Sequence, residues 1–311
     1  MLDTVSKGFF HVLAGSRLLK KAASRYGMAR PGSFARRFVA GETIDEALAA
    51  CRALQGQGAG ITLDLLGESV TSLAEADLAT RAYVSMMERM AASEVDRNIS
   101  LKLTQLGLDI DRAICVDNVR RILETAKPLD FFVRIDMENV PYVQRTMDVF
   151  DVIWQQDYRN AGLVLQSALY RSEADLEHLI ALGARVRLVK GAYKEAKSVA
   201  YQRKADVDAA YLRMMRTLLL GGNYPAIATH DEAMIGQAKR IAAENRIGRE
   251  RFEFQMLYGI RRDLQAALLA EGYRLRVYVP YGREWFPYFM RRLGERPANV
   301  LFVARSVMGE R

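Results

Sequence analysis

The chain has 311 residues, of which 50% are hydrophobic and 26% are charged. This balance is typical of a globular protein with a sizeable core, and it excludes a disordered chain. Cys51 and Cys115, the two cysteines, are too few for a disulfide framework or a four-thiolate zinc site, and they indicate a reducing compartment. The three histidines lie far apart in sequence, so no metal centre is predicted.

The net charge of +8 comes from 45 Lys and Arg against 37 Asp and Glu, and it favours anionic partners. Nucleic acid is not predicted, because the basic residues alternate with acidic ones and no recognition motif is found. Charged residues interrupt segment 1–27, which therefore lacks the apolar stretch of a signal peptide. No uncharged apolar run approaches the ~18 residues that a membrane span needs. We expect a cytoplasmic protein, with peripheral contact at the inner face of the cell membrane left open.

The first 60 residues favour helices. Thr43 precedes an apolar run as an N-cap, and Glu46 three residues later completes the pattern of a capping box. Three glycines between positions 56 and 60 then end this helix. We predict an N-terminal helical extension over residues 1–60.

Eight β-rich runs follow, and each precedes a longer helical pattern. The interval between the starts of successive runs is long enough for a strand, a loop, a helix and a return loop. The runs are 61–67, 99–107, 131–138, 162–169, 186–193, 226–230, 252–259 and 275–282. Eight βα units in series predict an α/β fold, a (β/α)8 barrel of TIM type, over residues 61–311.

An open doubly wound sheet is the alternative architecture. It needs a topological switch point and usually a glycine-rich turn after its first strand. The motif GxGxxG is absent, and the loose cluster GQGAG at 56–60 precedes a strand instead of following one. The barrel is therefore favoured, as one domain, since no Pro- or Ser-rich linker divides the chain.

Charged residues inside the apolar runs are the first candidates for a site, because barrel enzymes carry reactive residues at the carboxyl ends of strands. Lys102, Asp136 and Arg187 each need a partner or a ligand if their side chains point inward. A structural ion-pair network would meet the same need. His230 and Tyr278 are equally compatible with structural roles at strand ends.

A second candidate site follows the eighth run. On a helix, Tyr288, Arg291 and Arg292 fall at positions i, i+3 and i+4 and share one face. Two adjacent arginines beside a tyrosine suit bidentate binding of a small carboxylate. A solvated basic face with the tyrosine packed behind it fits the same spacing.

Seven motifs, in one order along the chain, together resemble the proline dehydrogenase family. They are DLLGE (64–68), SLKLTQLG (100–107), IDME (135–138), RLVKGAY (187–193), ATH (228–230), YxPxG (278–282) and YxxRR (288–292). The resemblance covers about residues 61–303, and the length matches the short monofunctional bacterial type. It implies a flavoprotein oxidoreductase that oxidises L-proline to 1-pyrroline-5-carboxylate, the first step of proline catabolism. FAD would be held without a covalent bond in a distorted barrel and would accept a hydride.

The resemblance also implies the roles of individual residues. Asp136, Arg187 and Tyr278 would be catalytic, with Arg187 at flavin nitrogen five. The other flavin contacts would come from Met137, Gln166, Val189, Lys190, Gly191, Ala192, Tyr193, Thr229, His230 and Leu257. The proline carboxylate would bind Lys102, Arg291 and Arg292; Leu257, Tyr278, Tyr288 and Asp136 would surround the ring; and Glu68 would pair with Arg291 as a gate.

The implied partners are a membrane quinone, which would take the electrons, and a separate pyrroline-carboxylate dehydrogenase in transient contact. The sequence departs from the family at Lys194, where tryptophan is frequent, and at Tyr258, where histidine is frequent. Two other functions fit the barrel. One is a Schiff-base lyase with Lys190 or Lys102 as nucleophile, and the other is a carboxylate-binding protein without turnover.

Overall fold

Eight parallel strands close into a barrel in which each strand pairs with the next and β8 pairs with β1. The computed structural model describes residue 28 and residues 33–295, with only the backbone described at 34 and 291–295. The strands are β1 Gly60–Leu65, β2 Asn98–Leu101, β3 Phe132–Ile135, β4 Ala161–Gln166, β5 Arg185–Val189, β6 Ala226–Ala228, β7 Glu253–Leu257 and β8 Leu275–Tyr281. The predicted α/β barrel of TIM type is confirmed.

Nine α-helices accompany the strands within the described part of the chain. They are α1 Ile44–Gln55, α2 Leu73–Ala92, α3 Arg112–Ala126, α4 Val140–Gln155, α5 Ser172–Ala181, α6 Lys204–Gly221, α7 Glu232–Glu244, α8 Arg262–Ala270 and α9 Trp285–Glu295. One of α2 to α9 follows each strand, whereas α1 precedes β1. The apolar core lies mainly between the strands and the helices around them.

Each of the eight predicted runs overlaps one strand, but several apolar runs continue beyond the end of the strand. The run 99–107 is extended only as far as Leu101, and Leu103–Leu106 form a 3-10 turn that ends at Gly107 in the left-handed region. All four residues of this turn are buried against α2 and α3. Their apolar character therefore reflects burial of the turn and not an extended backbone.

Polar side chains pair with one another at several levels of the barrel interior. Thr62 and Ser100 hydrogen-bond to each other at 3.1 Å between β1 and β2. At the amino ends of the strands, Arg276 pairs with buried Glu253 at 2.9 Å and also with Asp96. An ordinary TIM barrel fills this space with branched aliphatic side chains. Here the interior instead holds charged groups that fix one another.

The predicted helix after Thr43 is confirmed as α1. Thr43 and Glu46 form both hydrogen bonds of the capping box. This helix packs against β1 and β8, on the flank that the last helix of a regular (β/α)8 barrel would occupy. The remainder of 33–59 is largely irregular, and 1–27 lies outside the described residues, so the division at residue 60 stays a proposal.

Helix α9 lies across the carboxyl ends of the strands instead of beside them. Trp285, Phe286 and Phe289 on α9 belong to a second apolar cluster. Leu66 and Ile260, which follow β1 and β7, lie in the same cluster with residues of the segment before α1. Because α1 fills the flank, α9 is placed over the mouth of the barrel. No described helix is both long and apolar enough to cross a membrane.

Candidate active site

A cavity of about 460 Å³ opens at the carboxyl ends of the strands. Its volume lies in the usual range of small-molecule sites. Strands β4 to β8 contribute to the lining, together with residues that directly follow β2 and β3 and with loops and helices at the mouth. The lining residues are Lys102, Asp136, Met137, Val164, Gln166, Arg187, Val189, Lys190, Gly191, Ala192, Tyr193, Lys204, Ala228, Thr229, His230, Asp231, Gln255, Met256, Leu257, Tyr278 and Tyr288.

This cavity brings together all the predicted site residues except three. Glu68 is half-buried just beyond β1 and does not line the cavity. Arg291 and Arg292 lie on α9, as predicted, but their side chains are outside the described residues. The proposed gate between Glu68 and Arg291 therefore stays a prediction.

Asp136, Arg187 and Tyr278 form one hydrogen-bonded group. The Arg187 guanidinium donates from Nη1 to Asp136 Oδ1 at 2.7 Å, and the Tyr278 hydroxyl donates to Asp136 Oδ2 at 2.9 Å. A second guanidinium nitrogen, Nη2, donates to Ser100 Oγ at 3.0 Å. The carboxylate thus fixes a cation from β5 and a phenol from β8. Such a group is oriented before any ligand binds.

Tyr278 is a neutral hydrogen-bond donor. Burial raises the pKa of its hydroxyl well above the usual value, and the neighbouring Asp136 carboxylate raises the pKa further. The Arg187 guanidinium lies 5.4 Å from the centre of the Tyr278 ring. These contacts hold the ring in one place at the cavity wall.

One side of the cavity is shaped by Gln166 and Gly191. Gln166 Nε2 donates to the carbonyl oxygen of Glu138 at 2.8 Å and to that of Met137 at 3.3 Å. Gly191 has a φ of +110°, and a Cβ at this position would lie 3.0 Å from Gln166 Oε1. Glycine therefore both permits this backbone conformation and leaves room beside the amide.

An ion-pair cluster lies at the rim. Lys190 Nζ lies 2.6 Å from Asp208 and 2.8 Å from Asp231, and Lys204 pairs with the same two carboxylates. Burial alone would raise the pKa of Asp231, but the Lys190 ammonium holds this pKa below its usual value. A Schiff-base nucleophile must be a neutral amine. Two carboxylates hold the Lys190 ammonium in ion pairs, which counts against that role.

His230 connects β6 to β7. The backbone amide of Leu257 donates to His230 Nε2 at 3.0 Å, so a neutral imidazole here carries its proton on Nδ1. The residue lines the cavity and also holds a strand end. Both of the roles considered for His230 are therefore compatible with its position.

Several lining residues were not predicted. Val164 and Ala228 share the inward face of their strands with neighbouring interior residues, so strand alternation could have indicated them. Lys204 and Asp208 are four residues apart on α6, which is a helical pairing signal. No local sequence pattern predicts the ion pair between Asp208 and Lys190, which lies on another element.

Comparison with known proteins decides the family. The proline dehydrogenase profile matches residues 47–305. The chain belongs to the proline dehydrogenase family. It is therefore an oxidoreductase, and the resemblance found from the motifs is confirmed.

Two relatives are of the same short type. Proline dehydrogenase 2 of Bacillus subtilis (strain 168) is 41% identical over 303 residues, covering 97% of this chain and 99% of the relative. Proline dehydrogenase of Deinococcus radiodurans is 43% identical over 280 residues, covering 89% of this chain and 90% of the relative. This near-complete mutual coverage confirms the monofunctional bacterial type.

A solved structure shares the fold. Proline utilization A (PutA) from Bdellovibrio bacteriovorus, crystallised after inactivation by N-propargylglycine, is 28% identical with a TM-score of 0.78. The match covers 84% of this chain but 32% of that one. The present chain therefore corresponds to about a third of this longer protein.

Proposed function

We propose that the protein is an FAD-dependent L-proline dehydrogenase that forms 1-pyrroline-5-carboxylate. The observation that carries this proposal is the fixed group of Asp136, Arg187 and Tyr278 in a cavity that also gathers the described flavin-motif residues. When bound, the flavin supplies the acceptor for a hydride from carbon five of the proline ring. The residues of the chain orient the two molecules and balance their charges.

The cavity fits a flavin in two respects. Arg187 Nε is buried and has no hydrogen-bond partner among the described residues, so it offers a donor to an acceptor atom in the cavity. Gly191 lines the cavity with backbone that carries no side chain, so a planar ring can approach it closely. We propose that Arg187 holds the flavin together with the other described residues of the flavin motifs. These are Met137, Gln166, Val189, Lys190, Gly191, Ala192, Tyr193, Thr229 and His230.

Lys102 supplies a cation for the substrate. It is only 8% exposed, and it lines the cavity at the end of β2. We propose that it binds the proline carboxylate together with Arg291 and Arg292, while Leu257, Tyr278 and Tyr288 surround the ring. Fixed cations on the carboxylate orient the ring against the acceptor, so that much of the catalysis is positioning.

The electron acceptor and the cellular site are parts of the same proposal. A net charge of +8 is compatible with transient binding at an anionic membrane surface, where a quinone would take the electrons. Escherichia coli PutA, 28% identical over part of its length, is named a bifunctional protein. This is compatible with transient contact between the present chain and a separate pyrroline-carboxylate dehydrogenase in the cytoplasm.

The decisive experiment is anaerobic addition of L-proline to the purified protein. We expect a yellow protein whose flavin absorbance bleaches, release of FAD on denaturation, and a product that reacts as a cyclic imine. A colourless protein that borohydride traps with a carbonyl substrate would instead indicate the Schiff-base lyase. Affinity for proline with no bleaching and no product would indicate a carboxylate-binding protein.

The carboxylate site is tested by Arg291→Met and Arg292→Met. Removing one charged partner of a buried pair costs about 2–5 kcal/mol, so we expect the KM for proline to rise about tenfold or more. The flavin content should stay near that of the wild type, which serves as the control for folding. Lys102→Ala should act in the same direction, but less strongly, because an ammonium lacks the two-pronged geometry of arginine. Wild-type KM values in both arginine variants would refute the assignment.

A further inference from the structure

Asp64 is a buried carboxylate that does not line the cavity. It lies on β1, has no exposed surface, and neither carboxylate oxygen has a hydrogen-bond partner among the described residues. An ionised carboxylate in such a place is costly unless a cation lies nearby. Its position on the inward face of the strand must therefore be explained by a neighbour.

The neighbouring cation is Lys102. Its Nζ lies 3.8 Å from Asp64 Oδ1, and the lysine follows β2, the strand that pairs with β1. Burial raises the pKa of Asp64, and the Lys102 ammonium opposes this rise. The two charges thus depend on each other inside the barrel.

We propose that Asp64 is a positioning residue that holds the Lys102 ammonium in place and directs it toward the substrate carboxylate. The inference rests on the proposed function, since it gives Lys102 the role of carboxylate ligand. Asp64 would act chiefly through Lys102, which affects it more than Asp136, Tyr278 or Arg187 does, because its own side chain does not line the cavity. It would not touch substrate or cofactor.

Glu138 provides a comparison within the same site. This carboxylate is also buried near Lys102, but its oxygens accept hydrogen bonds from Thr104 Oγ1 at 2.8 Å and from the Thr104 amide at 3.3 Å. A glutamine at position 138 keeps one oxygen that accepts from the Thr104 amide, and its amide nitrogen can donate to the Thr104 hydroxyl. Asp64 lacks such local support, so an amide at position 64 removes the charge that faces Lys102. Glu138→Gln is therefore a matched control for Asp64→Asn.

A double-mutant cycle tests the proposal. The holoenzymes compared are wild type, Asp64→Asn, Lys102→Met and the double variant, with L-proline and a soluble quinone analogue or dye as acceptor. We expect Asp64→Asn to lower kcat/KM about tenfold or more, mainly through KM, and Glu138→Gln to change it by less than about threefold. In the Lys102→Met background, Asp64→Asn should change kcat/KM by less than about twofold.

Thermal unfolding supplies a second readout. The single Asp64→Asn variant leaves the buried Lys102 ammonium without one of its two neighbouring carboxylates, and we expect its Tm to fall. The double variant removes both charges, so its Tm should recover toward that of the wild type. If Asp64→Asn does not fold, the comparison of Lys102→Met with the double variant still tests the coupling.

The proposal is overturned if Asp64→Asn is as harmful in the Lys102→Met background as in the wild type, since Asp64 would then act through another group. It is also overturned if the single variant keeps the wild-type KM. Failure of the wild type to oxidise proline would instead refute the proposed function. The two failures are therefore distinguishable.

Discussion

Arg187 donates one side-chain hydrogen bond to Asp136 and one to Ser100 inside the barrel. Its Nε has no hydrogen-bond partner among the described residues. We predict that Arg187→Lys changes the flavin more than it changes substrate affinity. An ammonium cannot reproduce the planar fork, so it cannot keep both bonds and also face the cavity. The midpoint potential of the bound flavin should shift and kcat should fall, while the KM for proline changes less.

Potentiometric titration of the variant measures this potential directly. Lys102→Ala is the matched control. Lys102 also lines the cavity, but its loss should change the KM for proline more than the flavin potential. A potential and a kcat that both equal the wild-type values would show that Arg187 does not contact the flavin.

Tyr278 gives a prediction about substrate choice. Its ring is held by the hydrogen bond to Asp136 and by the neighbouring Arg187, so it cannot easily move away from a bulkier ligand. We therefore expect L-proline to be preferred over trans-4-hydroxy-L-proline, because a fixed wall rejects an added hydroxyl. Tyr278→Ser should lower kcat/KM for proline and narrow the difference between the two substrates.

The measurement is kcat/KM for both amino acids with the wild type and with Tyr278→Ser. Flavin content serves as the control for an intact site. A wild type that prefers the hydroxylated substrate, or an unchanged ratio in the variant, would exclude Tyr278 as the selector.

At the scale of the elements, the segment before α1 holds α9 over the cavity. The indole Nε1 of buried Trp285 donates to Glu42 Oε1 at 2.9 Å. Backbone hydrogen bonds of 2.9 Å join Ala40 to Pro280 and Gly282 to Gly41, so the same segment is tied to the end of β8. Helix α9 carries Tyr288 into the cavity. The contact between Trp285 and Glu42 should therefore affect the substrate site.

We predict that Trp285→Phe raises the KM for proline several-fold and leaves the flavin content unchanged. Phenylalanine keeps most of the apolar packing but loses a hydrogen bond to a charged group, which contributes about 1.5–3 kcal/mol. Steady-state kinetics and thermal unfolding measure the two effects. Arg89→Ala is the control, because it breaks an exposed ion pair with Asp45 on α1 and should cost less than about 1 kcal/mol. A lower Tm with an unchanged KM would mean that the segment stabilises the fold without positioning α9.

At the scale of the whole molecule, function and stability are placed at opposite ends of the barrel. The candidate site lies at the carboxyl ends of the strands, and the buried pair of Glu253 and Arg276 lies at the amino ends. We predict that Glu253→Gln destabilises the protein by about 3 kcal/mol at pH 7, because the largely buried Arg276 loses its main partner and keeps the ion pair with Asp96. The KM for proline should not change.

The pH dependence of this effect follows from the pKa of Glu253. Burial alone would raise the pKa of Glu253, but Arg276 holds this pKa below its usual value of 4.5. The pair therefore stabilises the fold fully above pH 4.5, and the contribution is lost as the pH falls through the lower pKa of the folded state. Urea unfolding at pH 7 and well below pH 4.5 should show the difference between variant and wild type shrinking on acidification. A difference that is equal at both pH values would contradict this account.

The sequence by itself determined the elements and the family. Strand and helix patterns are local, because they depend on hydrophobic periodicity over a few residues, and the eight runs therefore predict eight strands. The capping box of Thr43 and Glu46 is equally local, since both partners lie within one helical turn. Where an apolar run includes the turn at 103–106, the same periodicity overestimates the strand, because burial alone does not specify extended backbone.

Only the tertiary structure decided which polar and charged side chains face one another. Asp64 and Lys102, Lys190 and Asp231, and Glu42 and Trp285 are pairs whose members lie dozens of residues apart. No local pattern specifies such pairs, since they depend on strand register and on α1 displacing α9 from the flank to the mouth of the barrel. Closure of the barrel brings the carboxyl ends of the strands together, and this convergence creates the cavity.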